Sequence, residues 1–442
     1  MHRFACLLLL PALACGDVRT VGPTDAGADA AADASASGEV TVELENLFED
    51  DETFGDPWGD IPVLFFGPDG ALIAEEASDD DGVASATVPP GSTVVVVPPA
   101  FDTDEFVTFS VHGVQPGDTI RFPAPAVEPT FAPLGTMTVT YPEFTDAVSY
   151  RASNGCGENV SEGAGLAIVL NFTEECVTGD EFDVVVRALA ADDTVLGHVK
   201  KHGTFSDGDP VAAGAWDDHL ELVVQLTGIP TVARNVRASA RPAVGPVTYG
   251  SHDVGPFDLT DDTFDVELTT ADDFGTSIDV ELTYEPAFVN LGGQSALYRL
   301  APGTDELPVA LDDELLPWYG LPVFDQAGRR LTWTRTGGGA AGDAQYVYLQ
   351  TESKSNVRVE WLAIVPADVT DATLPELPDE YQERFPTDVA EAQTTVIAVD
   401  TSDYEGYEII ETGILPFFTV IGIVPRTQSA PGYYKVSLAG GL

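Results

Sequence analysis

Positive charge is scarce in this chain: 19 Lys and Arg stand against 73 Asp and Glu, and only four of the cations are Lys. Nucleic-acid binding is excluded on that ground, because its affinity rests on cations that neutralise phosphates. Adhesion to anionic lipid headgroups through a basic patch is excluded for the same reason. Long apolar runs are missing as well. Phe4 to Ala14 spans 11 residues and Ile414 to Val424 another 11, where a membrane-spanning helix needs about 20. No long stretch keeps a 3.6-residue apolar period, which argues against a helical body. Recognisable catalytic signatures are absent too: there is no G-x-S-x-G elbow, H-E-x-x-H helix or phosphate loop.

What is present is punctuation. Thirty-two Pro and 42 Gly divide the chain into short runs rich in Val, Thr, Phe and Tyr. That pattern predicts an all-β protein of tandem β-sandwich domains. Residues 16–38 are mostly Ala, Asp, Gly, Ser and Thr, too poor in apolar surface to offset their ordering entropy, and read as a disordered, flexible tether.

Met1-His2-Arg3, the apolar stretch Phe4 to Ala14 and Leu10-Pro11-Ala12-Leu13-Ala14-Cys15-Gly16 together resemble a bacterial lipoprotein signal. The resemblance implies a signal peptide over 1–14, lipid on Cys15, a lipid-anchored linker over 15–37 and an outer-membrane location on the periplasmic or cell-surface face. Ala12-Leu13-Ala14 also serves ordinary signal peptidase, which would cut the same bond and leave Cys15 as a free N-terminus. Both routes predict export. Cys156 and Cys176 remain, and an even pair in an oxidising compartment predicts a disulfide. Two Cys without further ligands nearby cannot complete a zinc site.

The order in residues 38–123 is the strand Ile61 to Phe66, the turn Gly67-Pro68-Asp69-Gly70, Asp79-Asp80-Asp81-Gly82, the strand Val83 to Val88, Pro89-Pro90-Gly91, and Thr93 to Val97. It resembles the transthyretin-like or carboxypeptidase-regulatory-like sandwich, which implies a spacer or adhesion module and no enzyme activity. Residues 134–230, with Met137 to Tyr141 and the alternating Phe182 to Ala188, resemble a fibronectin type III or immunoglobulin-like sandwich. Tyr141 then stands where that family carries a core Trp. Residues 231–442 read as one large sandwich, jelly-roll-like, with two smaller domains as the alternative. Asp379 to Arg384 reads as a short helix.

Several clusters compete for a chemical role. Asp79 and Asp81 have the oxygen density that Ca²⁺ prefers, although an Asp-Gly turn needs no metal; calcium is the one cofactor considered. The run Glu49-Asp50-Asp51-Glu52 poses the same choice. His198 and His202 would share a metal on a helix, but in the expected strand their rings stand about 13 Å apart. Trp361 reads as core. Trp318-Tyr319, flanked by Pro317 and Gly320, is expected at the surface as a ligand-binding feature. The expected function is a surface-displayed acidic lipoprotein that acts as a binding, adhesion or structural module, with a cell-surface glycan or protein as partner. A carboxylate-dependent glycan hydrolase in residues 231–442 and a calcium-dependent adhesin are the rivals.

Overall fold

Strands account for nearly all the regular structure. The computed structural model describes residues 37–442 apart from 48–52, 54, 101–103, 124–130, 163–164, 218, 245–246, 272–274, 340–341, 386–387, 403–406, 408–431 and 441–442. Cys15, the tether, the acidic run Glu49 to Glu52 and the apolar run Ile414 to Val424 lie outside the described residues.

The backbone of the fold is a 13-stranded sheet. From one edge it runs Val247–Thr248, Ala233–Val244, Ser277–Pro286, Gln294–Leu300, Gly432–Gly440, Val389–Thr401, Ala344–Ser353, Arg358–Pro366, Glu105–Val114, Ser92–Val96, Pro62–Phe66 and Leu72–Ala77, with His252–Asp258 also paired to Ala233–Val244. Sequence patterning predicts strands at Thr263–Leu268, Ser277–Tyr284, Arg330–Thr334, Gln345–Leu349, Val357–Val365 and Thr394–Asp400, and a strand forms at each, within a few residues of those bounds; a seventh, Phe417–Val424, lies outside the described residues. Asp379–Arg384 is a short 3-10 helix.

Side chains alternate across a strand, so one strand can feed two cores. Leu362 and Ile364 pack on one face with Val42, Val63, Phe65 and Tyr346. Trp361, Ala363 and Val365 pack on the other with Leu64, Phe66, Leu349 and Trp333. Burial on both faces explains why Pro62–Phe66 and Arg358–Pro366 read as continuous apolar runs rather than alternating ones. Trp361 is core as expected, 1% exposed, and its Nε1 donates to Ser110 Oγ at 2.9 Å.

The first face of the sheet is covered by Gly38–Leu44, which pairs antiparallel with Val83–Val88 and parallel with Thr119–Phe122. Residues 38–123 are therefore sandwich-like, but their inner sheet continues beyond them. Glu105–Val114 pairs in parallel with Arg358–Pro366, from Glu105–Arg358 to Val111–Ile364. The core of this segment includes Ala344, Tyr346, Leu362, Ile364, Ile397, Val399 and Tyr434. Residues 231–442 likewise do not close on themselves as a separate jelly roll. A third core forms where Ala233–Val244 and Ser277–Pro286 pack against His219–Thr227, Thr263–Ala271 and Glu306–Ala310.

Residues 133–217 make a sandwich with a core of their own. Five strands, among them Ser149–Ser153, Glu181–Leu189 and Val195–Thr204, face a sheet of Pro133–Thr140, Ala167–Thr173 and Pro210–Ala212. Tyr141 is buried between them, 4.7 Å from Tyr150, and Trp216 closes over both rings at 6.2 and 5.8 Å. Cys156 and Cys176 form a disulfide at the margin of this core. The expected end of the domain at Pro230 moves inward, because His219–Thr227 leaves this sandwich and pairs with Thr263–Ala271.

Candidate ligand-binding face

Trp318 and Tyr319 belong to a short strand that follows the single helical turn Leu311–Glu314. The strand pairs antiparallel with Arg335–Thr336, with Trp318 opposite Thr336 and Tyr319 opposite Arg335. Both rings are fully buried, which corrects the expectation that they lie at the surface. The alternation of the strand sends Trp318 into the core with Leu311, Leu315 and Tyr284, and Tyr319 into the opposite core with Leu316, Leu331 and Trp333. The flanking residues fasten the strand down instead of lifting it out. The Leu316 carbonyl accepts Gln294 Nε2 at 2.7 Å, the Pro317 carbonyl accepts Ser437 Oγ at 2.8 Å, and the Gly320 amide donates to the Thr334 carbonyl at 2.9 Å.

The glycine triplet 337–339 reads in sequence as a turn, and the structure gives it a further purpose. Gly338 has φ +79°, and a Cβ there would lie 2.4 Å from the Leu316 carbonyl oxygen. A Cβ on Gly339 would lie 1.9 Å from the Asp313 oxygen. Only glycine lets this loop press against the backbone of 313–316, where the Gly339 amide donates to Leu315 at 2.7 Å.

That close approach leaves a concavity of about 350 Å³, lined by Pro317, Arg335, Thr336, Gly337, Gly339 and Asp368. The volume is within the range of small-ligand sites. Arg121, Arg299 and Arg358, among others, hold carboxylates in salt bridges. Arg335 has no carboxylate partner among the described residues, although Asp368 lines the same cleft. Behind the wall, Trp318 Nε1 and Tyr319 Oη are buried with no hydrogen-bond partner among the described residues. Burial pushes the Tyr319 phenol up to about 12, and the neighbouring Arg335 charge opposes the rise.

Beside the cleft, loop 286–293 is tied to the same strand through the Leu291–Gly320 bridge and a Gly292 N–H to Tyr319 carbonyl bond of 3.2 Å. Loop 286–293 carries Phe288 at 56% and Val289 at 105% exposure, and the segment 320–322 that follows the strand carries Leu321 at 57%, with Val323 at 66% just beyond. They are among the most exposed large apolar side chains of the described residues. The exposed apolar side chains near this strand are thus not the Trp318 and Tyr319 that the sequence singles out. Arg335 carried an unused signal, as a rare cation two residues before three glycines.

The other expected sites resolve differently. Asp79 Oδ1 accepts the amides of Asp81 at 3.0 Å and Val83 at 2.9 Å, an Asx turn that accounts for the motif by backbone capping. His198 is buried on Val195–Thr204, whereas His202 is exposed beside Asp183 and Glu181; the strand keeps them apart as its spacing requires. No group of three or more metal-ligating side chains occurs among the described residues. Among the described residues, Asp118 and Asp400 are the carboxyls that burial pushes upward, and neither lines the cleft. Asp400 instead faces Lys435 Nζ at 3.7 Å. Among the described residues, the cleft lining supplies one carboxylate, Asp368.

No protein-family model matches the chain, and no curated protein matches its sequence. Among solved structures, the TIE protein of Bacillus anthracis aligns at 8% identity over 62% of this chain and 50% of that one, with a TM-score of 0.15. A candidate adhesin from Bacteroides ovatus aligns at 12% identity over 67% of this chain and 94% of that one, with a TM-score of 0.13. The chain thus spans about half the length of the first of these. Superpositions at such scores establish no common fold, so the site must be judged on its own geometry.

Proposed function

We propose that this chain is an exported, surface-displayed binding module, anchored by lipid on Cys15, that engages a cell-surface glycan through the face built by loops 286–293 and 317–339. The observation that carries the reading is the union of a polar cleft with Phe288, Val289 and Leu321 exposed on hydrogen-bonded neighbouring loops. Clustered exposed apolar side chains beside polar groups mark interaction surfaces, and an exposed ring such as Phe288 offers a flat face to the C–H side of a sugar. The disulfide agrees with an oxidising compartment. No helix among the described residues is long and apolar enough to cross a membrane; attachment through Cys15 rests on the lipoprotein-like signal of residues 1–16. In this reading the sandwich at 133–217 is a spacer.

The test is binding of the purified protein to a panel of surface polysaccharides, for the native chain and for Phe288→Ser/Leu321→Ser. Exposed positions leave the melting temperature unchanged, while binding falls at least tenfold. Binding that survives the double substitution rules out this face. Capture of protein components alone, with no polysaccharide bound, replaces the glycan with a protein partner.

A further inference from the structure

The cleft holds an unusual arrangement for so acidic a chain: an arginine and an aspartate line the same small space without pairing. With a formal net charge of −54, acidic side chains far outnumber basic ones, and other arginines such as Arg241, Arg299 and Arg330 are in salt bridges. A guanidinium left over beside a cleft is available to an incoming anion. Building on the glycan reading, we propose that the cleft recognises the carboxylate of an acidic saccharide, a uronic-acid class of sugar, with Arg335 as its anchor.

The chemistry of the lining fits each part of such a ligand. The planar guanidinium fork matches a carboxylate in a bidentate, charge-assisted pair. Asp368 accepts from ring hydroxyls, and the Thr336 hydroxyl both donates and accepts. Pro317 offers a small apolar plate. Gly337 has no side chain to block approach to the loop; a Cβ there would stand 3.7 Å from Trp318 Cδ1, beside the indole N–H that has no partner among the described residues. A zwitterionic amino acid would also satisfy the Arg335–Asp368 pair. Within the lining itself Pro317 is the one apolar side chain, so the cleft proper suits a hydroxyl-rich ligand better than an apolar peptide side chain. The surrounding acidic surface repels any anion at long range, so affinity must come from contact with Arg335 itself. Salt screens the repulsion over about 8–10 Å and leaves the contact pair less affected.

The test titrates the full-length protein with a uronic-acid tetrasaccharide and with the same saccharide after carboxyl reduction, which replaces each carboxylate by a neutral hydroxymethyl group. The acidic form binds at least tenfold more tightly. Arg335→Gln removes that preference without changing the melting temperature, since the side chain is exposed, and Arg335→Lys restores part of it. Equal affinity for the two saccharides, or a preference that persists in Arg335→Gln, overturns the acidic-sugar assignment while the glycan reading stands. Failure of both saccharides and of the whole polysaccharide panel overturns the two together. Binding of a free amino acid or peptide carboxylate, but not of the uronate, assigns the cleft to peptides instead and overturns the proposal.

Discussion

Residues 133–217 and residues 38–123 are both sandwich-like, yet they are stabilised in opposite ways. The first builds its main core from its own residues: Met137, Tyr150, Phe172, Phe182 and Val199 pack together within the segment, with a disulfide at the margin, and only a small cluster around Val185 reaches Tyr249 and Ala271. The second shares its core with strands that arrive more than 200 residues later, including Tyr346, Leu362 and Ile397. Two segments with similar turn chemistry and strand lengths therefore differ in autonomy. Sequence patterning reports which residues are buried; it does not report which partner buries them.

The sharpest way to break this contrast is to express the two segments separately. The 133–217 segment folds alone and unfolds cooperatively in urea. The 38–123 segment alone gives no dispersed amide spectrum, because one side of its core is missing. A folded 38–123 fragment would show that the shared sheet is incidental. Next in size is Trp361→Ala. Loss of a buried Trp and of its bond to Ser110 destabilises by about 3–5 kcal/mol, and the loss registers on strand Glu105–Val114 as well as on Arg358–Pro366. Hydrogen exchange that rises on only one of the two strands would place the boundary between them after all.

Smaller effects separate the segments further. Cys156→Ser/Cys176→Ser removes a link across 20 residues, and costs roughly 3 kcal/mol in the chain-entropy model. The loss is confined to 133–217, so amide protection on strands Ser92–Val96 and Arg358–Pro366 stays as in the native chain. The smallest effect belongs to Asp79→Ala, which frees two backbone amides and costs about 1–2 kcal/mol. Melting curves of this variant and of the native chain coincide in EDTA and in Ca²⁺. A rise in melting temperature with Ca²⁺ that depends on Asp79 would assign the turn to a metal.

Local features were the ones legible in sequence. The Gly67–Gly70 turn, the strands of residues 263–400, the Asp379–Arg384 turn and the Cys pair follow from neighbours along the chain, and the structure shows each of them. The parallel pairing of Glu105–Val114 with Arg358–Pro366 was not legible, since no local signal specifies a partner 250 residues away. Trp318 and Tyr319 were misjudged for a related reason. Flanking Pro and Gly mark a change of direction, but whether the strand between them lies over a core depends on what covers it, here Gln294, Ser437 and the glycine triplet. The cleft was hidden because its two charges sit on segments more than 30 residues apart.

The parallel pair inside the sheet also sets the timetable of folding. Strands Ser92–Val96 and Pro62–Phe66 emerge first during synthesis, but the strand that covers the open edge of Glu105–Val114 is Arg358–Pro366. Until residue 366 has been made and delivered, that edge and the apolar rows beside it have no native cover. Contacts of such sequence separation slow folding, and uncovered strand edges invite aggregation in the interval. Under the proposed export this delay has a use: the chain stays threadable while it crosses a membrane, and its long sheet closes only once both ends have arrived.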